Sequence, residues 1–190
     1  MSEIYLLIIT IGLLLWIALI IWAVIPALYG LPWIPSELER IQTALELANL
    51  QPDEKLYDLG AGDGRVLIVG ARDFQAQSVG IEIGPLHCLL AKYRAKKAGI
   101  ADKISVQWGS FFSVNLSAAD VVFIYARSKQ VARLQPVFEK QLKVGARVVS
   151  LAVDLPGWRP DQVDSQQAIF VYQMPPKPGS VEQWFENQTF

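Results

Sequence analysis

The chain has 190 residues, enough for one domain with a real core plus a small accessory element. A formal charge of −1 and a pI near 5.8 give no global basic field of the kind that binds nucleic acid through phosphates, so no nucleic-acid partner is expected. The single cysteine, Cys88, excludes an intrachain disulfide and a cysteine-cluster zinc site, and a hydrophobic content of 52% requires an apolar segment beyond an ordinary core.

That segment opens the chain. From Ile4 to Leu28 no residue is charged, and sixteen positions are Leu, Ile or Val. As a helix it would span roughly 37 Å, against about 30 Å of bilayer hydrocarbon. Trp16 and Trp22 lie inside the run, Pro26 would kink it, and Tyr29 and Trp33 are placed for an interfacial belt. A cleaved signal peptide is the competing reading. Against it, the run lacks a basic leader, is too long for a signal core, and shows no small-x-small cleavage site. The expected division is a membrane anchor at residues 1–31 and a second domain at residues 32–190.

Prolines at 32 and 35 stiffen the connector, and Ser36-Glu37-Leu38-Glu39 spells a capping box for a helix reaching Asn49. Alternating strands and helices follow: strand Lys55 to Leu59, helix Gly64 to Asp73, strand Ser78 to Ile83, helix Pro85 to Ala98. Next come strands Ile104 to Trp108 and Val121 to Tyr125, then a helix from Ser128 with Val131, Leu134 and Phe138 at core spacing and a break or kink at Pro136. Arg147 to Val153 is a strand. In the tail, Ala168 to Met174 and Val181 to Phe185 read as an antiparallel pair across a proline-rich loop. The alternation predicts an α/β domain with a mainly parallel sheet.

The chemistry is concentrated in Tyr57-Asp58-Leu59-Gly60-Ala61-Gly62-Asp63-Gly64-Arg65, which reads as strand, glycine loop and helix. Glycines admit positive φ and close approach of a ligand, and the helix start offers unpaired N–H groups. Dinucleotide spacing fails, since the third glycine position falls on Arg65 or Leu67. Asp58 and Asp63 would repel a pyrophosphate but suit a ligand carrying an ammonium and a sulfonium, which describes S-adenosylmethionine. Glu82, 24 residues after Asp58, closes the second strand, where an acid would accept hydrogen bonds from ribose hydroxyls. His87 reads as a helix-surface or pocket-rim residue ahead of a catalytic base, and Arg127, Lys129 and Arg133 as a solvated basic face or a contact to lipid headgroups or an acidic partner.

Asp58-x-Gly60-x-Gly62-x-Gly64 resembles the first motif of the seven-strand methyltransferases. Together with the anchor, Trp33-Ile34-Pro35-Ser36 and Gly145-Ala146-Arg147-Val148-Val149, the chain resembles the small membrane-anchored protein-lysine methyltransferases, whose mitochondrial members modify the adenine nucleotide translocase and the ATP synthase c-subunit. The resemblance implies a Rossmann-like sheet of seven strands with helices on both faces. Asp58, Gly60, Ala61, Gly62, Asp63, Gly64 and Glu82 would hold the cofactor. Trp108, Gly109 and Ser110 would lie at its adenine, with Trp108 in the core as the other reading. Trp33 and Ile34 would line the substrate channel, with Pro35, Ser36 and Tyr125 at the catalytic end; Tyr125 reads equally as a structural tyrosine. Because the cofactor is made in the cytosol, the expectation is a single-pass protein whose catalytic domain faces the cytosol. With no Arg-rich transit segment ahead of the anchor, a bacterial homologue is expected. The acceptor is expected to be a lysine on a membrane-associated protein. A lipid-soluble small molecule, or a non-catalytic adaptor keeping the fold, are the alternatives.

Overall fold

The computed structural model describes residues 2–28 and 36–186, and of residues 22–28 the backbone alone. Tyr29, Trp33, Ile34 and Pro35 therefore lie outside the described residues. Helix α1 (Ser2–Leu28) is continuous through Pro26, and its side chains from Ser2 to Ile21 are exposed. Ser2–Ile21 is long and apolar enough to cross a membrane, and a signal sequence meets the same measure.

Helix α2 (Leu38–Leu47) begins one residue later than a Ser36 cap would place it. Glu37 is the N-cap and makes no side-chain capping bond, so the expected capping box is not formed. The Ser36 carbonyl instead accepts a hydrogen bond from Arg65 Nη1 at 2.8 Å. Ile41, Ala44 and Leu45 bury the inner face of α2.

Strand β1 (Lys55–Leu59), helix α3 (Arg65–Asp73), strand β2 (Gln77–Glu82), helix α4 (Pro85–Lys97) and strand β3 (Ile104–Trp108) follow in order. Then come β4 (Val121–Ile124), α5 (Ser128–Gln141) and β5 (Arg147–Leu151). Pro136 does not break α5 as expected. It is exposed, so water can satisfy the carbonyl it leaves unbonded, while Val131, Leu134 and Phe138 are fully buried. Three such side chains, at about 1.5–3 kcal/mol each, outweigh the roughly 3 kcal/mol that an internal proline costs.

The remaining elements are β6 (Trp158–Arg159), β7 (Gln162–Asp164), β8 (Ile169–Gln173), β9 (Lys177–Pro178) and α6 (Val181–Glu186). The expected strand over Val181 to Phe185 is thus a helix. The Ser180 hydroxyl accepts from the Gln183 amide, and Gln183 Oε1 accepts from the Ser180 amide, a reciprocal cap that starts a helix. β8 pairs antiparallel with β5, and its other edge is taken by β7.

The main sheet has seven strands in the order β3-β2-β1-β4-β5-β8-β7. Alternate residues of β4 feed opposite faces. Val121 and Phe123 pack with α2 and α3, whereas Val122 and Ile124 pack with α5. Strand order reverses between β1 and β4, whose register is Leu59↔Ile124. A parallel sheet opens a crevice at the carboxyl ends of its strands at such a point. Gly60 and Tyr125 are the first residues beyond it on either side.

Candidate active site

The loop from Gly60 to Gly64 is shaped by three left-handed glycines, with φ of 102°, 51° and 81° at Gly60, Gly62 and Gly64. Their uses differ. A Cβ at Gly60 would meet no atom within 4 Å, leaving open space for a ligand, but one at Gly64 would sit 2.8 Å from the Ala91 Cβ. Gly64 lets α3 and α4 approach each other. The Gly60 and Ala61 amides donate to the Ile81 carbonyl at 2.9 and 3.0 Å, tying the loop to β2.

Asp58 ends up in a buried place. Burial first, then the charges of Glu82 and Asp63, push its carboxyl up to about 8, and among the described residues none donates a hydrogen bond to it. A buried carboxyl without a donor is completed by a cationic ligand group. An ammonium meets that need, so the Asp58 side of the loop fits the methionine end of S-adenosylmethionine.

Asp63 plays another part than the one expected of it. Burial opposes its charge, but hydrogen bonding and charge from Arg65, then Arg94, outweigh burial and hold it below the usual carboxylate range. Arg65 donates to both of its oxygens, at 3.0 and 2.8 Å, and Arg94 adds an ion pair. With its charge already matched, Asp63 fastens the loop rather than offering a free acid to the ligand.

Glu82 holds the loop as well. Its carboxylate accepts from the Gly62 amide at 2.8 Å and the Gly84 amide at 2.6 Å. Each carboxylate oxygen has further lone-pair capacity, so two ribose hydroxyls can still be received. His87 is buried rather than at the surface, its Nδ1 4.0 Å from Glu82 Oε1, and the Cys88 thiol is buried against the Glu82 carbonyl at 3.5 Å. Trp108 is not in the core. It is 73% exposed, with its indole N–H donating to the Ile83 carbonyl at 2.9 Å. The Gly109 amide donates to the Glu82 carbonyl at 2.9 Å, which brings the end of β3 to the Glu82 side of the crevice. The Ser110 hydroxyl accepts from the Phe112 amide at 3.3 Å, capping a short turn at Phe111–Ser113.

Across the crevice Tyr125 is half-buried, with the Arg40 guanidinium 5.6 Å from its ring centre. Arg40 Nη2 donates to the Ala168 carbonyl at 3.3 Å, and Arg40 Nε is buried without a partner among the described residues. Sequence reasoning missed Arg40, because its place on the polar side of α2 gave no sign of a partner 85 residues away. Ala152, just beyond β5, has a φ of 64°, unusual for a residue with a side chain. Ser150 Oγ donates to the Val153 carbonyl at 2.5 Å across this bend.

A sheet of this order, a glycine loop at its switch point and paired acids on β1 and β2 define a class I methyltransferase that uses S-adenosylmethionine. Solved relatives agree. A protein from Salinibacter ruber, described as an RNA methyltransferase in complex with S-adenosyl-L-homocysteine, has a TM-score of 0.71 at 36% identity, covering 78% of this chain and 96% of that one. The family model described as the ANTKMT methyltransferase domain matches residues 58–162, and the chain belongs to that family. It is 37% identical over 133 residues to a protein-lysine N-methyltransferase of Saccharolobus islandicus, covering 70% of this chain and 83% of that protein. It is 29% identical to the human lysine N-methyltransferase of the ATP synthase c-subunit, covering 72% of this chain and 58% of that protein. To the mouse adenine nucleotide translocase lysine N-methyltransferase it is 27% identical, covering 72% and 59%. The chain thus spans under two thirds of the length of these mammalian relatives.

Proposed function

We propose that this enzyme methylates the side-chain amine of a lysine on a membrane-associated protein, with residues 1–31, which contain α1, as its anchor and residues 32–190 as the catalytic domain facing the cytosol. The observation that carries the reading is the pairing of a donor crevice at the β1–β4 switch with an apolar helix of 27 residues, exposed from Ser2 to Ile21, in a family of protein-lysine methyltransferases. The mammalian relatives are named for lysines of the ATP synthase c-subunit and of the adenine nucleotide translocase.

In this reading Asp58 takes the ammonium of the cofactor, Gly60 and Ala61 its methionine backbone, and Glu82 its ribose. Gly62, Asp63 and Gly64 keep the loop in shape, while Trp108, Gly109 and Ser110 border the adenine. The cofactor supplies an electrophilic methyl group at the mouth of the crevice. A lysine must lose its proton to attack, which costs about 5 kcal/mol at neutral pH from an ordinary pKa of about 10.4. Tyr125 walls the acceptor approach with a half-buried ring, and the fixed charge of Arg40 behind it disfavours an ammonium there. Positioning and desolvation then suffice without a strong base. Trp33, Ile34, Pro35 and Ser36 would line the channel leading in, and of these Ser36 is held to the loop by its carbonyl, which accepts from Arg65.

The test is incubation of the detergent-solubilised protein with membranes and cofactor labelled in the methyl group. Label in a protein band, lost in Asp58→Ala and Glu82→Ala, supports the proposal, and mass spectrometry then gives the lysine. Label in the organic phase assigns a lipid-soluble acceptor instead. Label in RNA would match the description of the Salinibacter protein and overturn the lysine reading.

A further inference from the structure

Helix α4 has its polarity arranged unlike an ordinary surface helix. His87, Cys88, Ala91 and Ala95 are buried on its inner side. On the outer side, where polar residues belong, Leu86, Leu89 and Tyr93 are 41%, 62% and 63% exposed. Spaced at i, i+3 and i+7, they form one stripe. Lys92, Lys96 and Lys97 are exposed around it, and no carboxylate lies between Pro85 and Lys97, although the chain holds 18 acidic residues. An apolar stripe bordered by cations and free of acids is complementary to an anionic lipid surface.

Beside α4 lies an open groove of about 250 Å³ lined by Leu38, Arg65, Ile68, Val69, Arg72 and Arg94. Its arginines are paired with Asp63 and Asp73, which leaves three cations against two carboxylates and one net positive charge. Leu38 of this groove follows Leu28, the end of α1, by ten residues, which span at most about 35 Å of extended chain. The stripe begins four residues after Glu82, at the rim of the cofactor crevice.

We propose that the outer face of α4, flanked by the arginine groove, docks on the anionic surface of the bilayer that α1 crosses. Leu86, Leu89 and Tyr93 enter the headgroup layer while the lysines meet lipid phosphates. Docking would hold the crevice mouth close to the membrane, so that acceptors at the bilayer surface are favoured over those in bulk solution. The inference rests on α1 being a membrane anchor, and the experiment separates the two.

The full chain carrying Tyr93→Cys, labelled there with a polarity-sensitive fluorophore, is reconstituted in phosphatidylcholine vesicles with and without phosphatidylglycerol; both contain lipid-borne nitroxide quencher. The unsubstituted chain, whose Cys88 is buried, gives the labelling background. Docking predicts quenching in the anionic vesicles, reversed by about 0.5 M salt as charges are screened. Adding Lys96→Glu and Lys97→Glu should weaken the docking equilibrium at least about 25-fold, from about fivefold per cation removed. A chain that resists alkaline extraction but shows no quenching overturns the docking proposal and leaves the anchor standing. A chain released by alkaline extraction overturns the anchor and the docking with it. Quenching that is equal in both vesicles and indifferent to salt overturns the electrostatic basis. Shielding that rises with protein density in either lipid shows a second copy covering the stripe, and overturns it too.

Discussion

The two sides of the crevice are built in opposite ways. Every group on the donor side lies between Asp58 and Ser110 and is fixed largely by backbone contacts, such as the amides of Gly60 and Ala61 on Ile81 and those of Gly62 and Gly84 on Glu82. The proposed acceptor side is assembled from distant pieces. Arg40 comes from α2, Tyr125 from the end of β4, the Ala168 carbonyl from the approach to β8, and the bend at Ala152 from the end of β5. A site fixed by one continuous segment can keep its ligand while the other side varies with the acceptor. Donor-side changes should therefore be severe and specific to the cofactor, and acceptor-side changes mild and specific to turnover.

The largest effect is expected at Asp58. Asp58→Asn should weaken S-adenosylmethionine binding by about 100-fold, measured by calorimetry, because a charge-assisted bond to the ammonium is lost. The same change should stabilise the ligand-free protein at neutral pH. The Asp58 acid sits at about 8 in the fold against an ordinary value of 3.8, so between those values the folded state keeps a proton that the unfolded chain has released. Stability of the native sequence then falls as pH rises through that window, by up to about 1.4 kcal/mol per unit. Melting temperatures of the two proteins should therefore diverge between pH 5 and pH 8, with Asp58→Asn the more stable at the upper end.

Next in size is Gly64→Ala, expected to cost about 2–4 kcal/mol in denaturant unfolding, since the new methyl meets Ala91 at 2.8 Å on a backbone with φ of 81°. Ala91→Gly in the same chain should recover part of the loss; no recovery would mean that backbone strain, rather than the α3–α4 contact, sets the need for glycine. Arg147→Met follows, at about 2–3 kcal/mol. Arg147 reaches Glu54 with two nitrogens, at 2.9 and 2.6 Å, and also the Ala48 and Asn49 carbonyls, fastening β5 to the end of α2. Cofactor affinity should be unchanged, and a change would show that the donor side is less self-contained than its contacts indicate. The smallest effect is expected for Tyr125→Phe, a few-fold fall in kcat with no shift in cofactor affinity. A weakened affinity there would erase the boundary between the two sides.

Much of the donor side is legible in the sequence because its information is local. A short apolar run ending in Asp58, three glycines at alternate positions and an acid 24 residues on are signals that need no knowledge of distant contacts. The parallel strands agree to within two residues at their ends for the same reason, being apolar runs bounded by turns. The differences are of other kinds. β7 has three residues and no apolar run, so it exists only because β8 offers it an edge. A strand at Val181 overlooks the Ser180-x-x-Gln183 cap that stands in the sequence, and Pro136 weighs less than the three buried side chains around it. Asp63 is recognisable as a charge, but its arginine partners, one of them 31 residues away, cannot be seen from spacing. Arg40 behind Tyr125 is the same lesson on the acceptor side.

The buried acid at the end of β1 carries one more consequence. Below pH 8 the ligand-free loop holds Asp58 as a neutral acid, and a cationic donor group requires it as a carboxylate. With Asp58 receiving the ammonium as proposed, cofactor uptake is also a proton-release reaction. The heat of binding should vary with the ionisation enthalpy of the buffer, giving nearly one proton expelled per cofactor at pH 7, and none in Asp58→Asn.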